Sequence, residues 1–160
     1  LEHIVDNEEN IIGRTYYIYD KDFYLTESYV EDAERQIESR TMVRYNSHGK
    51  VSERVFADAA GNTFRREVYS YAHSGNMVKT VVFSPTGKKM RELRYEYDVN
   101  GMPVTETVYD YSEPEPEISI TLFRYVYDSH RNWIQKTEYL MVDNMPEAQT
   151  ITEREIKYYQ

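Results

Sequence analysis

Tyrosine recurs at a constant interval along this chain, and the interval constrains the fold more than any other feature. Tyr19, Tyr45, Tyr71 and Tyr97 lie 26 residues apart. Glycine keeps the same interval in two further series, at positions 49, 75 and 101 and at positions 61 and 87. A repeat of this length predicts one supersecondary unit per period, with each unit packed on its neighbours in the sequence.

The period lengthens once, after the fourth of these tyrosines. The pair Tyr125 and Tyr127 follows Tyr95 and Tyr97 by 30 residues. The Glu-Pro-Glu-Pro-Glu tract at 113–117 lies inside the lengthened repeat. Two prolines cannot sit inside a paired strand, so the tract predicts a longer, extended hairpin tip.

Each repeat contains two strand-like runs and two turns, which is the pattern of an antiparallel meander. Three of five such turns begin with Asp or Asn, whose side chains cap the turn, and each turn contains a Gly that accepts a positive φ. The runs are rich in Val, Thr, Tyr and Phe, and six of them span residues 64–71, 77–83, 89–97, 104–111, 118–127 and 133–142. The sequence therefore predicts an all-β fold: an antiparallel meander of about ten strands, built from 26-residue double-strand repeats in an open twisted or coiled single sheet.

The length suits one domain, which we expect to cover residues 1–160. Its repeat units are placed near 15–40, 41–62, 63–88, 89–117 and 118–149, with a terminal strand at 150–160. Residues 30–38 have helix-forming composition. One period later, however, Asp32 aligns with Asp58, so the repeat predicts a degenerate hairpin there, with a single helical turn as the alternative.

Alternation along the strands assigns side chains to two faces. Leu93, Tyr95 and Tyr97 share one face, and Arg94 and Glu96 share the other. The strands between the tyrosine-bearing ones carry apolar and polar residues on both sides. Neither face is expected to be uniformly dry, which favours a single sheet over a two-layer sandwich with a thick core.

Charge and composition exclude several classes of function. The formal net charge of −9 argues against nucleic acid or an anionic membrane surface as partner. The chain has no Cys and no apolar run near the length of a membrane span. Its four His lack metal-ligand spacing, and no carboxylate pair, phosphate loop or nucleophile elbow stands out. We therefore expect no catalytic residues, no metal and no cofactor, and predict that the chain is not an enzyme.

Three segments resemble the YD repeats of RHS-type proteins: Tyr-Ser-Tyr at 69–71, Tyr-Glu-Tyr-Asp-Val-Asn-Gly at 95–101, and the run from Tyr125 to Trp133. The chain departs from the family pattern in having Ala72 where Asp is expected, Arg131 in place of the turn Gly, and a longer period. The resemblance implies successive β-hairpins in a continuous curved sheet, and a small stand-alone member in the bacterial envelope or secreted. It brings no active-site residues. Because the chain starts at Leu1 without Met, we expect that a signal segment has been removed.

Three functional hypotheses follow, with either a protein or a glycan as the partner. The first is a non-catalytic interaction or structural protein of the bacterial envelope that uses a sheet edge, with residues 150–159 as the candidate edge strand and a homodimer through edge strands as one form. The second is a carbohydrate-binding module with a tyrosine ladder, whose candidate ligand-binding residues are Tyr69, Tyr71, Tyr95, Tyr97, Tyr125, Tyr127 and Trp133. The third is an acidic, immunity or antitoxin-like protein. A structural role of the ladder is favoured over ligand binding, since equivalent residues of neighbouring repeats stack whatever the ligand.

Overall fold

The computed structural model describes residues 1–5 and 7–158. These residues form twelve strands and no helix, and the strands are hydrogen-bonded in chain order within one sheet. The all-β meander in a single sheet is thereby confirmed. The strands are β1 (Glu2–Val5), β2 (Ile11–Tyr19), β3 (Leu25–Asp32), β4 (Ile37–Tyr45), β5 (Val51–Asp58), β6 (Thr63–Tyr71), β7 (Met77–Phe83), β8 (Lys89–Tyr97), β9 (Pro103–Asp110), β10 (Glu117–Tyr127), β11 (Trp133–Val142) and β12 (Met145–Glu153).

Two compact units are present in the chain. The first comprises Leu1–Ser70 and Thr80–Met90, and the second comprises Tyr71–Lys79 and Arg91–Gln160. The first unit contains β1 to β5 with most of β6, and the second contains β9 to β12 with most of β8.

Two details of the strand pattern differ from the expectation. The sheet has twelve strands rather than about ten, because β1 precedes the first tyrosine pair and carries none of the repeat's markers. The terminal strand was predicted at 150–160, but β12 ends at Glu153, and residues 159–160 lie outside the described residues. β12 begins as early as Met145 because Asp143 and Asn144 both have positive φ, at 49° and 61°, and form a tight hairpin turn.

The hairpin predicted at 30–38 is present, and the alternative helical turn is not. β3 and β4 flank a turn in which the Asp32 N–H donates to the Gln36 carbonyl and the Arg35 N–H donates to the Asp32 carbonyl. Arg35 has a positive φ of 64°, and Gly61, which lies one period later, also has a positive φ, of 85°. The period therefore predicts the backbone conformation here better than the composition does.

The positive-φ positions show that the repeat extends beyond the glycines. One series contains Phe23, Gly49, Gly75 and Gly101, and the other contains Glu9, Arg35, Gly61 and Gly87, each with members 26 residues apart. Because Phe, Glu and Arg adopt positive φ only at a cost, glycine alone does not determine these turns.

A side-chain acceptor at the first position stabilises most of these turns. The Oδ1 of Asp98 accepts hydrogen bonds from the backbone N–H groups of Asn100 and Met102, both at 2.9 Å. Asn46 makes the equivalent pair with His48 at 2.9 Å and Lys50 at 3.0 Å. The matching bonds at Asp20 and Asp128 follow the same pattern. Such local bonds favour the turn over competing conformations.

Position 72 is the exception, because alanine offers no acceptor. The two backbone bonds of the turn are nonetheless kept, from the Ala72 N–H to the Asn76 carbonyl and from the Gly75 N–H to the Ala72 carbonyl, both at 2.9 Å. The Asn76 N–H is left with a long bond of 3.4 Å to the Ser74 hydroxyl. The turn at Ala72 thus keeps the shape of its sibling turns and lacks only the stabilisation that a side-chain acceptor gives them.

Burial is modest on both faces of the sheet. The buried hydrophobic residues are Val43, Ala57, Val81 and Val108, and among the described residues no large side chain is fully buried. Val108 lies opposite Leu93 on the face of Tyr95. Glu92, which is only 4% exposed, lies on the other face. Neighbouring strands, rather than a thick core, hold each other in place.

We expect a reciprocal pair of substitutions to change stability in opposite directions. Ala72→Asn should raise the free energy of unfolding by about 1 kcal/mol by supplying the missing acceptor, and Asn46→Ala should lower it by a similar amount. Urea denaturation monitored by circular dichroism measures both. A loss of stability in Ala72→Asn would show that the side-chain acceptor does not stabilise these turns.

Candidate functional site

All seven predicted ligand-binding residues are half-buried. Tyr69 and Tyr71 end β6, Tyr95 and Tyr97 end β8, Tyr125 and Tyr127 end β10, and Trp133 begins β11. Cross-strand neighbours place polar groups beside two of the rings, since Tyr95 lies opposite Glu106 and Tyr125 opposite Lys136. The structure brings Tyr95 and Tyr97 together at one end of β8, and Tyr125, Tyr127 and Trp133 together at the turn between β10 and β11.

In two repeats the second tyrosine is joined by its hydroxyl to the hairpin before it. The Tyr97 hydroxyl donates to the Met77 carbonyl at 2.6 Å, and the Tyr45 hydroxyl donates to the Leu25 carbonyl at 3.0 Å. In both cases the acceptor is 20 residues earlier in the chain. The strand register shifts by one residue at each of these tyrosines, which is the signature of a β-bulge beside the turn. This contact gives the tyrosine period a structural cause.

Near the C-terminal end, tyrosine hydroxyls bind the turn aspartates instead. The Tyr127 hydroxyl donates to Oδ2 of Asp98 at 3.1 Å, and the Tyr158 hydroxyl donates to Oδ2 of Asp128. Tyr158 also accepts from Nδ2 of Asn132 at 2.7 Å. The bond from Tyr158 and those from backbone N–H groups hold the pKa of Asp128 below its ordinary value despite partial desolvation. Tyr158 therefore takes the place that the tyrosine of one more repeat would occupy.

Tyr125, Tyr127 and Trp133 form a compact aromatic cluster. The ring of Tyr125 lies 6.2 Å from that of Tyr127 and 6.3 Å from that of Trp133, measured between centroids. A register shift pairs Tyr127 with Trp133, which brings the indole to the tyrosine face. The Arg154 guanidinium lies over the indole at 3.9 Å, so one face of Trp133 is occupied by a cation–π contact.

Tyr69 lies in a charged network on β5 and β6. Its hydroxyl donates to Glu67, which is 8% exposed and also forms an ion pair with Arg65. The Arg54 guanidinium lies over the Tyr69 ring at 6.0 Å. Burial, together with the bond to Glu67 and its negative charge, raises the pKa of Tyr69 to about 12.

A shallow depression adjoins Ala72 in the second unit. It measures about 540 Å³ and lies between the turn at 72–76 and the end of β8 with the turn that follows. Tyr95 and Tyr97 line it together with Asn76, Asn100 and Asp98. Two of the predicted tyrosines thus meet amide and carboxylate groups at one surface.

A larger groove lies at the C-terminal end of the same unit, and the sequence analysis did not find it. It measures about 790 Å³ and is lined by the end of β10, the turn at 128–130, the start of β11 and residues 153–156 and 158. The segment after β12 forms one side because the Arg154 N–H donates to the Ile134 carbonyl at 3.0 Å before the chain runs to Tyr158. Only this path past the strand end creates the groove, and the strand pattern gives no sign of it.

Residues 1–5 and 7–158 contain neither a candidate metal-binding cluster nor a candidate membrane-spanning helix. Within them no three His, Asp or Glu side chains lie close enough together to hold a metal ion. The same residues contain no helix of the length and apolarity that crossing a bilayer requires.

We expect Glu67→Gln to lower the pKa of Tyr69 from about 12 towards 10, because the charge is removed while burial remains. NMR-monitored titration of labelled tyrosine would measure the change. Glu92 is a buried glutamate of β8 in the other unit, so Glu92→Gln is the matched control. It should leave the pKa of Tyr69 unchanged. An unchanged pKa in Glu67→Gln would contradict the assignment.

The chain matches no family model and no curated protein. Among solved structures, it is similar to a porin-like protein from Bacteroides uniformis ATCC 8492, with 10% identity over 93% of this chain and 86% of the other and a TM-score of 0.44. It is also similar to the TcdB2-TccC3-TEV structure, with 14% identity over 87% of this chain but only 10% of the other and a TM-score of 0.31. A protein with unknown function from Bacteroides fragilis NCTC 9343 shares 12% identity over 89% of this chain and 91% of its own, with a TM-score of 0.26. These identities are too low for residues to be carried over to this chain.

Proposed function

We propose that this chain is a non-catalytic interaction protein of the bacterial envelope, built from YD-type hairpin repeats, and that it binds an extended segment of another polypeptide along the outer edge of β12. The observation that carries the proposal is the exposure of β12 and its position at the end of the sheet. All nine residues of β12 are exposed, and β12 is the last strand in the sheet order. The YD-like run from Tyr95 to Gly101 supports the placement in the envelope.

An edge strand presents backbone N–H and C=O groups that another strand can pair with. The direction of these groups on β12 can be read from one bond. Because the Arg154 N–H donates to the Ile134 carbonyl of β11, alternation directs the N–H of Thr152 to β11 and that of Ile151 away from it. The outward-facing backbone of Ile151 is therefore available for strand addition.

Side chains on β12 limit indiscriminate pairing. Pro146 lacks an N–H, and Glu147 and Glu153 place charge near the two ends of the strand. Between them, Ile151 is 61% exposed and offers an apolar contact. The edge is thus suited to pairing with a specific partner strand rather than to indiscriminate aggregation.

Ile151→Pro should abolish polypeptide binding while the fold is retained, because it removes an outward N–H without breaking the ladder to β11. A phage-displayed library of random decapeptides, selected on the immobilised chain, supplies the probes. We expect the selected peptides to bind the unchanged chain and not Ile151→Pro, with circular dichroism confirming that the variant is folded.

Amide hydrogen exchange provides the residue-level readout. In the free chain the Ile151 amide should exchange quickly and the Thr152 amide slowly, and a bound peptide should slow Ile151. If no peptide is selected, or if the selected peptides bind Ile151→Pro equally well, strand addition at β12 is wrong.

A glycan-binding surface is the second candidate, and one observation favours it. The depression beside Ala72 joins the rings of Tyr95 and Tyr97 to the amides of Asn76 and Asn100. Aromatic faces beside hydrogen-bonding groups suit the apolar and hydroxyl-bearing sides of a pyranose ring.

If glycan binding is the function, soluble polysaccharides should quench intrinsic tyrosine and tryptophan fluorescence in a saturable manner. The quenching should be lost in Tyr95→Ala and kept in Tyr16→Ala, whose ring stacks on Tyr29 in the other unit. Absence of quenching across a broad polysaccharide panel would exclude this candidate.

A further inference from the structure

We infer that the polypeptide bound at β12 is basic, and that it places an aliphatic side chain in the neighbouring groove and a lysine or arginine at the groove's acidic rim. This inference rests on the proposed strand addition. It adds the chemistry of the partner and the surface that selects it.

The groove is continuous with the edge of β12, since Glu153 is both the last residue of the strand and part of the groove wall. Its size, about 790 Å³, falls in the range of ligand-binding clefts. Val126, Ile134 and Ile156 provide its apolar surface. Val126 pairs with Gln135, and Gln135 pairs with Glu153, so these three lining residues lie on the face opposite Tyr125.

The walls of the groove are held by contacts that fix their positions. The Arg154 side chain is occupied by Trp133, through its bond to the Trp133 carbonyl and its position over the indole. The rings of His130 and Tyr158 stack at 4.1 Å between centroids. Since these groups are engaged with the protein itself, an incoming segment meets a preformed groove.

The charge at the rim favours a cationic partner. Three carboxylates, those of Asp128, Glu153 and Glu155, line the groove against the single guanidinium of Arg154, which is held over Trp133, so the lining has a net negative charge. Glu153 accepts a bond from Gln135 at 2.8 Å through one carboxylate oxygen, and Glu155 is exposed. A lysine or arginine on an added strand would complement these carboxylates.

The same charges disfavour the other occupants of this surface. A second copy of the chain carries a net charge of −9, so its approach would bring like charges together. An acidic peptide would be repelled in the same way. A basic segment with alternating apolar residues satisfies the edge, the groove and the rim together.

Two fluorescein-labelled decapeptides test the inference by fluorescence anisotropy: an alternating Lys-Val peptide and a neutral alternating Thr-Val peptide. We expect the Lys-Val peptide to bind more tightly. Glu153→Gln/Glu155→Gln should weaken its binding about five- to tenfold, because two charge pairs are lost while the Gln135 bond can be kept. Binding of the Thr-Val peptide should be unchanged in this variant.

Glu34→Gln/Glu38→Gln is the matched control, since it removes the same charge from exposed positions of the other unit. It should leave binding of the Lys-Val peptide unchanged. Ile156→Ser tests the apolar part of the groove and should weaken binding of the Lys-Val peptide. Circular dichroism confirms that the variant is folded.

The outcomes separate this inference from the proposed function. Failure of both peptides to bind contradicts strand addition itself and the inference with it. If the two peptides bind equally well, or if both double variants weaken binding equally, the inference of a basic partner is wrong. The proposal of strand addition at the edge of β12 would still stand. No effect of Ile156→Ser removes the groove from the binding surface.

Discussion

Backbone hydrogen bonding between adjacent strands is the interaction on which this protein depends. Each strand pairs with its neighbours in the sequence, and the sheet order repeats the chain order from β1 to β12. Among the residues that the structure describes, four hydrophobic ones are buried: Val43, Ala57, Val81 and Val108. With so little apolar burial, the ladder and the turns that begin each hairpin must hold the register. The aspartate or asparagine at the start of a turn is therefore as much a part of the framework as any buried side chain.

Paired charges and rings cover the surfaces that a second layer would cover in a sandwich. Arg94 lies over the Tyr109 ring at 4.8 Å and also forms an ion pair of 2.7 Å with Glu92. Arg124 lies over Tyr139 at 4.9 Å. In these contacts the aliphatic part of arginine shields a ring while its head stays near water. This explains how a chain with 29% charged residues and 17 tyrosines builds an ordered sheet.

The period was enough to predict the sheet, because turn chemistry and strand length repeat together. The predicted runs 77–83 and 89–97 coincide with β7 and β8. The period also identified the β3–β4 hairpin against its helix-forming composition. It could not identify β1, which is short and carries no repeat marker, nor the early start of β12, which follows from a tight turn outside the series.

The candidate sites were harder to predict, for a physical reason. Which acceptor a tyrosine hydroxyl reaches depends on a register shift beside the turn, and the residue type alone does not reveal that Tyr97 binds a carbonyl and Tyr127 a carboxylate. The groove arises where the chain stops pairing with β11 after Arg154 and attaches through Tyr158 to the turn between β10 and β11. Both features are set by distance and direction between strands, whereas the sequence reveals only the order of residues along one strand.

The Glu-Pro-Glu-Pro-Glu tract has a consequence for how this architecture tolerates change in length. Most of it lies in the hairpin tip at 111–116 between β9 and β10, and Tyr125 and Tyr127 still end β10 as Tyr95 and Tyr97 end β8. Lengthening a tip costs little, about 0.6 kcal/mol for each doubling of loop length. A single residue inserted within a strand would instead turn every following side chain of that strand to the opposite face. Such a chain therefore accommodates a change in length most readily at its hairpin tips or by a whole period, and within a strand only through a bulge such as those beside Tyr45 and Tyr97.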